Sequence, residues 1–214
     1  FIDHAPEPQL DHAETTPMAG HDYIRATFDG AGAHLGIIDT EVMMADGNKH
    51  DDLTPYYVAW DNTGQGAGAN PQGHGTHVAG TILGRGNADT RHEGMGSGAG
   101  NSSTSRFFHG RFFNSIGAGV GDINTLYSAM ASDFTDSSGN VAARPYAVNH
   151  SWGSPTSTDT AGTSQQAIDN DTYVWGGQAF IRSAGNGDTT TMGRQSSAKN
   201  SLSVGNAKSH EVDN

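Results

Sequence analysis

Short apolar runs that end in a polar residue alternate with segments of helical spacing along this chain. The clearest run covers residues 33–38 and predicts a buried strand that ends at Asp39. The clearest helical segment is His74–Leu83, HGTHVAGTIL, whose small residues would let a helix pack closely against a sheet. Strands that alternate with helices predict an α/β fold with a doubly wound, mostly parallel sheet and helices on both faces.

The remaining segments follow the same alternation. Further apolar or β-prone segments lie at residues 56–60, 106–113, 146–149, 173–175, 179–181 and 201–204, and further helices are predicted at residues 122–134 and 163–171. Ligands of parallel sheets gather at the carboxyl ends of the strands. Asp39, Ser151 and Asn186 fall at predicted strand ends, so the sequence predicts a functional site at that edge of the sheet.

The chain has no internal repeat and no convincing linker, so one partial domain is the simplest account. Its 30 glycines are interleaved with apolar runs, which favours tight turns in a folded domain over a flexible linker. Residues 1–31 are expected to form an irregular N-terminal arm, since residues 1–19 hold three prolines and no apolar period. Residues 32–214 are expected to form the domain itself. A first residue of Phe1, not Met, indicates a processed product, such as the mature form of an exported protein.

Composition argues against several classes of function. A net charge of −12 at pH 7 would repel a phosphate backbone and argues against a nucleic-acid partner. No apolar run reaches the ~18–20 residues of a membrane span. The chain has no Cys, which excludes a disulfide framework and a thiol nucleophile, and its 11 His are scattered instead of clustered at metal-ligand spacing.

Asp39 and His74 are the first candidates for chemistry. A carboxylate at the end of a buried strand is held rigidly and suits the orientation of an imidazole, although an Asp there can also simply cap a turn. The dipole at a helix start is expected to lower the pKa of His74 and keep it neutral, as a general base requires. His74 and His77 also form an H-x-x-H pair that could bind a metal, but the Glu of the zincin pattern is absent. We therefore interpret His77 as a packed or hydrogen-bonded helix residue.

Asn186 is the third candidate, in the sequence Ser-Ala-Gly-Asn-Gly-Asp after an apolar strand. Its amide could donate a hydrogen bond to a developing oxyanion. The alternative is an ordinary turn, since Asn followed by Gly is common in turns. Each candidate is a weak signal alone.

Taken together, the motifs and their order resemble the subtilase family of serine proteases. They run in the order Asp39, HGTHVAGT from His74, NHSWGSP from Asn149 and SAGN from Ser183. Asp, His and then Ser is the order of the subtilisin triad. The resemblance covers residues 32–207 and implies a serine endopeptidase that hydrolyses peptide bonds through an acyl-enzyme. By that resemblance Asp39 would orient His74, His74 would act as general base and acid, and Asn186 would donate in the oxyanion hole.

The resemblance also implies the segments that bind a polypeptide substrate. Ser151-Trp152-Gly153 would form one wall of the pocket for the residue before the scissile bond, and Ala184-Gly185 would form the other wall. Gly119-Val120-Gly121 would be an edge segment that pairs with the extended substrate by strand addition.

Cofactor and location also follow from the resemblance alone. It implies no cofactor for catalysis and a secreted, extracellular protein. Subtilases often hold structural Ca²⁺, and Asp46, Asp51 and Asp52 are possible ligands, although a solvated acidic loop is the plainer interpretation. The sequence assigns no metal residues.

Glu41 is one departure from the family pattern. It follows Asp39-Thr40, where the family has Gly. If this position needs a positive φ, a glutamate there is strained. Its carboxylate would also be expected to raise the pKa of His74.

The larger departure is the nucleophile, because no G-T-S-M/A motif follows Asn186. Gly162-Thr163-Ser164 precedes the oxyanion strand and is followed by Gln165-Gln166, so Ser164 is not expected to be the nucleophile. We expect a fold that is incomplete at the C-terminus, with a sheet face exposed and the serine supplied by the remaining part of the protease beyond residue 214. These 214 residues alone are predicted to be inactive. The alternative is a catalytically degenerate subtilase fold that binds peptides without cleaving them.

Overall fold

A computed structural model describes residues 20–43, 50–53, 56–61, 63–64, 73–102, 105–132, 134–135, 141–142, 144–153, 163–175, 178–185 and 194–205. The helices are α1 (His21–Arg25), α2 (His74–Leu83), α3 (Ile123–Ala131) and α4 (Thr163–Trp175), with 3₁₀ turns at Thr90–His92 and Arg194–Ser197. The strands are β1 (Leu35–Asp39), β2 (Tyr57–Asp61), β3 (Phe107–Arg111), β4 (Phe134–Thr135), β5 (Val141–Ala142), β6 (Ala147–His150), β7 (Ala179–Ser183) and β8 (Ser201–Val204).

The main sheet has six strands in the order β2-β3-β1-β6-β7-β8. All five pairings within it are parallel, and β1 lies in the interior with strands added outward on both sides. The short strands β4 and β5 pair antiparallel in a separate hairpin. The predicted α/β fold with a doubly wound parallel sheet is confirmed.

Two hydrophobic cores lie on opposite faces of the sheet, because successive residues of a strand point to opposite sides. Ile37 belongs to the core that includes Val78, Ala79 and Leu83 of α2. Ile38 belongs to the second core, whose helical members come from α3 and α4: Leu126, Tyr127, Met130 and Ile168. Helices therefore cover both faces, as predicted, and β1 is buried between them.

One part of the sheet is open among the described residues. Leu202 on β8 is the register partner of Ile181 on β7, which places it on the same face as Ile37. Leu202 is 60% exposed and Val204, two residues further along the same face, is 49% exposed. An exposed apolar face was expected from the sequence, and β8 carries one.

The segment before β1 contains one short helix, α1 (His21–Arg25), and residues 1–19 of the predicted irregular arm lie outside the described residues. The His21 ring Nε2 lies 2.8 Å from the carbonyl oxygen of Met95. The backbone N–H of Gly98 donates to the carbonyl of Asp29 at 2.8 Å. These long-range contacts dock residues 20–31 onto the loop after α2, and local apolar periodicity could not reveal them.

Several predicted boundaries also differ from the structure, among them the helix predicted at residues 122–134, which covers Ile123–Ala131. Residues 173–175 form the last turn of α4, which runs to Trp175 instead of ending at residue 171. The β-prone segment 106–113 is a strand only at Phe107–Arg111. None of the helices in the described part of the chain is long and apolar enough to cross a membrane.

Candidate active site

Asp39 is the last residue of β1 and lies at the carboxyl edge of the sheet. Its side chain is only 1% exposed, because cores on both faces cover the strand. The backbone N–H of Thr40 donates to Oδ1 of Asp39 at 2.7 Å, and the backbone N–H of Phe112 donates to its carbonyl oxygen at 2.9 Å. These bonds and the burial fix the carboxylate at the strand end.

His74 is the first residue of α2, and its ring meets this carboxylate. Nδ1 of His74 lies 2.7 Å from Oδ1 of Asp39. An ionised carboxylate only accepts hydrogen bonds, so Nδ1 carries the proton and Nε2 is left as the basic nitrogen. The imidazole is 48% exposed, so a reacting group can approach it from solvent. The two residues predicted to form an acid–imidazole pair are therefore in direct contact.

The hydrogen bond to Asp39 raises the pKa of His74, and partial burial opposes that rise without cancelling it. The expectation that the helix start would lower this pKa is wrong. A charged acceptor at 2.7 Å acts on the imidazolium directly, whereas the helix dipole is only a partial charge at the start of the helix.

The helix and the strand end are joined by backbone contacts on either side of the His–Asp pair. The N–H of Gly75 donates to Oγ1 of Thr40 at 2.7 Å, and the N–H of Met43 donates to Oγ1 of Thr76 at 2.9 Å. On the other side, Nε2 of His109 lies 2.9 Å from the carbonyl oxygen of Thr40, to which it donates. The turn after Asp39 is thus held by α2 and by β3.

Glu41 lies in this turn and is buried. No non-glycine residue in the described ranges has a positive φ, so the expected backbone strain at Glu41 is absent. Oε2 of Glu41 lies 3.7 Å from Nη1 of Arg111, and the same nitrogen lies 3.5 Å from Oδ2 of Asp61. The pKa of His74 rises through its contact with Asp39, not through Glu41.

Ser151, Trp152 and Gly153 follow directly after β6. The indole Nε1 of Trp152 donates to the carbonyl oxygen of Ile38 at 2.5 Å, one residue before Asp39. The side-chain amide of Asn149 donates to Oγ of Ser151 at 2.8 Å. This predicted substrate wall therefore lies beside the strand end that carries Asp39.

Phe112 and Phe113 also belong to this region, although the sequence analysis did not single them out. The Phe112 ring stacks on Trp152 with centroids 5.4 Å apart, and Phe113 meets the same indole edge-on at 5.0 Å. The available signal was their position directly after β3, at the same sheet edge as Asp39.

The predicted edge segment Gly119-Val120-Gly121 packs against these aromatic residues. Gly119 forms an antiparallel bridge with Phe113, and the N–H of Val120 donates to the carbonyl of Phe112 at 2.9 Å. A β-carbon at Gly119 would come within 2.6 Å of the Phe112 ring, so any side chain here would require that ring to shift. Gly119 and Gly121 remain exposed to solvent.

Ala184 and Gly185, the other predicted wall, follow directly after β7. The N–H of Ala184 donates to the carbonyl of Val204 at 2.8 Å, and Gly185 has a φ of 112°. Asn186 lies outside the described residues. Its predicted oxyanion role stays a prediction.

The metal interpretations have little support among the described residues. No group of three His, Cys, Asp or Glu side chains in that part of the chain could hold an ion. Asp46 lies outside the described residues. Asp52 instead accepts from the N–H of Asn87 through Oδ1 at 2.8 Å, and the carbonyl of Asp51 accepts from the Asn87 side chain at 2.9 Å.

Arg182 is a buried charge that the sequence analysis missed. It is fully buried on β7, donates to the Tyr127 hydroxyl at 2.6 Å, and lies 6.0 Å from the centre of the Trp152 ring. Burial lowers the pKa of Arg182, while Tyr127 favours the charged form. The signal was a lone cation within the apolar run Ala-Phe-Ile-Arg-Ser.

The described residues thus form a parallel α/β sheet with an Asp–His pair at its carboxyl edge. A family model described as the subtilase family matches residues 30–212, and the chain belongs to that family.

Two solved structures share the fold. The crystal structure of the psychrophilic subtilisin-like protease Apa1, from the Antarctic psychrotroph Pseudoalteromonas sp. AS-11, is 23% identical with a TM-score of 0.60. A serine-to-alanine mutant of the protease domain of PatA is 17% identical with a TM-score of 0.63. Each match covers 86% of this chain, but only 39% of the Apa1 chain and 61% of the PatA chain.

Proposed function

We propose that this protein is a serine endopeptidase that cleaves polypeptides through an acyl-enzyme, with Asp39 orienting His74 as the general base. The observation that carries the proposal is the 2.7 Å contact between Oδ1 of Asp39 and Nδ1 of His74 at the carboxyl edge of the sheet. Serine proteases use this arrangement because the carboxylate fixes the tautomer of the imidazole and stabilises its protonated form. The family supports general protease function.

The proposed reaction has two halves. Nε2 of His74 takes the proton from a serine hydroxyl supplied by residues beyond 214, while the serine oxygen attacks the scissile carbonyl. The protonated His74 then gives that proton to the leaving amine, and an acyl-enzyme remains. A water molecule, deprotonated by the same imidazole, releases the acyl group. The side-chain amide of Asn186 is proposed to donate to the oxyanion in both halves.

The proposed substrate is an extended polypeptide. Gly119-Val120-Gly121 offers an exposed backbone edge, and strand addition needs such an edge free of bulky side chains. Ser151-Trp152-Gly153 and Ala184-Gly185 are proposed as the walls beside the scissile bond. Their places directly after β6 and β7, near the end of β1, support that assignment.

The exposed face of β8 supports a covering element from outside the described residues. Leu202 and Val204 expose 60% and 49% of their surface on the face that α2 covers further along the sheet. A further segment that packed on this face would bury them. We propose that the 214 residues alone are inactive because no G-T-S-M/A motif follows Asn186.

The second candidate is a catalytically degenerate subtilase fold that binds peptides. Glu41, at a position where the family resemblance implies glycine, favours this candidate. The Asp39–His74 contact favours the protease, because a peptide-binding protein needs no oriented imidazole. Secretion and structural Ca²⁺ remain predictions from the family.

A serine-directed fluorophosphonate applied to the full-length gene product tests the proposal. Labelling is expected in the full-length protein and absent from residues 1–214 alone. Asp39→Asn should slow both labelling and peptide cleavage by about 10⁴-fold, as a wrong imidazole tautomer does in other serine proteases. Asp89→Asn, which alters a surface carboxylate paired with Arg91, is the matched control and should label normally.

The contrary result would be a folded full-length protein that neither labels nor cleaves. If that protein still bound extended peptides, the peptide-binding candidate would replace the protease.

A further inference from the structure

Glu41 and Arg111 form a buried ion pair next to the His–Asp pair. The side chains of Glu41 and Arg111 are 9% and 3% exposed, with Oε2 and Nη1 3.7 Å apart. Glu41 is the residue at which this chain departs from the glycine of the family pattern. A carboxylate buried there without a partner would be strongly unfavourable, so the two residues belong together.

The pair is attached to the turn that joins β1 to α2. Arg111 ends β3 in register with Asp39 at the end of β1. The carbonyl oxygens of Thr40 and Glu41 face Gly75 at the start of α2. Any shift of the turn would therefore move the start of α2, and with it the imidazole of His74, relative to Asp39.

The charges around the turn come from four elements. Asp39 and Glu41 lie at the end of β1, His109 and Arg111 on β3, Asp61 on β2, and His74 on α2. Burial lowers the pKa of His109, which keeps it neutral near pH 7. Among these named groups Arg111 is the permanent cation, and it contacts both Glu41 and Asp61.

We propose that Glu41 and Arg111 are positioning residues: their ion pair holds the Thr40–Glu41 turn, against which the start of α2 rests, and neutralises the carboxylate of Glu41. The inference rests on the proposed function, since it assigns these residues to the support of the proposed Asp39–His74 pair. Arg111 would then balance the charge that Glu41 introduces, and the presence of Glu41 would not indicate lost activity.

Opposite charge changes at the two positions test the proposal in the full-length protein. Arg111→Gln removes the cation next to the buried Glu41 carboxylate, which should raise the pKa of His74 and move the acid limb of kcat/KM to higher pH. Glu41→Gln should lower that pKa and move the limb to lower pH. The double variant Glu41→Gln/Arg111→Gln should return the limb towards its original position. For Arg111→Gln we expect kcat to fall on the order of tenfold to 10²-fold, with a smaller change in KM.

Asp61→Asn is the matched control, because it removes the other carboxylate near Arg111, and that carboxylate lies on β2 and not in the turn. It should leave kcat close to the original value. If Arg111→Gln does not fold, the double variant decides: its recovery of folding supports the pair, and its failure overturns it.

The His74 titration can be followed by NMR in the full-length protein without any activity. If the protein proves inactive but the two single variants shift this titration in opposite directions, the proposed function fails and the pair stands. If both single variants shift it in the same direction, or neither shifts it, the pair is overturned even in an active protease.

Discussion

A β-carbon placed on Gly75 would come within 2.5 Å of the carbonyl oxygen of Thr40. The same carbon would lie 2.9 Å from the carbonyl of Glu41, so there is no room for any side chain at the second residue of α2. The helix that carries His74 therefore rests directly on the backbone that follows Asp39. Close contact between backbones, not a long side chain, sets the distance between the imidazole and the carboxylate.

Gly75→Ala is expected to push α2 away from this turn. It should lower the free energy of unfolding by about 1–3 kcal/mol, as overpacking does, and should lengthen the His74–Asp39 hydrogen bond. Chemical denaturation and peptide cleavage by the full-length protein measure the two effects.

Gly80→Ala is the control for Gly75→Ala, because Gly80 lies in the same helix and a β-carbon there meets nothing within 4 Å. Alanine at an open helical position should stabilise the protein by about 0.5–1 kcal/mol. Equal losses at both glycines would contradict the close-contact account.

The Trp152–Ile38 hydrogen bond predicts a stability loss for Trp152→Phe. The pairing of β1 with β6 ends at Ile37 and Asn149. The indole N–H of Trp152 donates to the carbonyl of Ile38, the next residue of β1. Phenylalanine would fill much of the same space but leave that carbonyl without its donor, which should cost about 1–3 kcal/mol.

Trp60→Phe makes the same change elsewhere in the same core, where Trp60 stacks on Phe108 with ring centroids 6.0 Å apart. Its loss in urea denaturation should be smaller than that of Trp152→Phe. Comparable losses would show that ring size matters more than the indole donor.

The buried Arg182 predicts that replacing its partner Tyr127 lowers stability more than replacing Arg182 itself. Tyr127→Phe removes the hydroxyl that accepts from the guanidinium at 2.6 Å and should destabilise the protein by about 1.5–3 kcal/mol. Arg182→Met removes the charge itself and should be close to neutral, since an apolar residue suits this core. A larger loss for Arg182→Met than for Tyr127→Phe, measured by urea denaturation, would contradict this account.

The histidines predict two opposing dependences of stability on pH. The pKa of His74 is raised above its ordinary value of 6.5, so its stabilising effect is complete below pH 6.5 and is lost as the pH rises through the folded-state pKa. Burial lowers the pKa of His109 and His150, so their effect is present above pH 6.5 and is lost as the pH falls.

Unfolding free energies measured between pH 4 and 9 should separate these effects. His74→Asn should selectively remove the loss of stability on the alkaline side, and the acid-side loss should remain. An unchanged alkaline limb in His74→Asn would contradict the assigned hydrogen bond. In the active protein, cleavage should rise with pH as His74 deprotonates.

The sequence alone was sufficient for the sheet, because its strands and helices leave strong local patterns. The Asp39–His74 pair was predicted from the order of several motifs and their resemblance to one family, because each residue alone is a weak signal. The run before Asp39 is apolar and short, and the helix His74–Leu83 begins and ends where its spacing predicts. Polar residues at the ends of parallel strands converge by geometry, so Ser151 also falls near β1 as expected.

The supporting contacts could not be predicted because they join distant parts of the chain. Nothing local in the sequence links Glu41 with Arg111, or the Trp152 indole with the carbonyl of Ile38. The raised pKa of His74 was misjudged for the same reason: the helix start is a local feature, whereas the Asp39 contact spans 35 positions. The docking of α1 onto the loop after α2 is a further case.

The position of β1 between two cores makes the Asp39–His74 contact depend on the packing of both layers. Ile37 and Ile38 face opposite layers, and Asp39 follows both of them. A shift of either layer would therefore move the carboxylate relative to the imidazole, so packing on both faces of the sheet is needed to keep the Asp39–His74 contact. If the protein is the proposed protease, a copy with a partly loosened core would lose cleavage together with that contact.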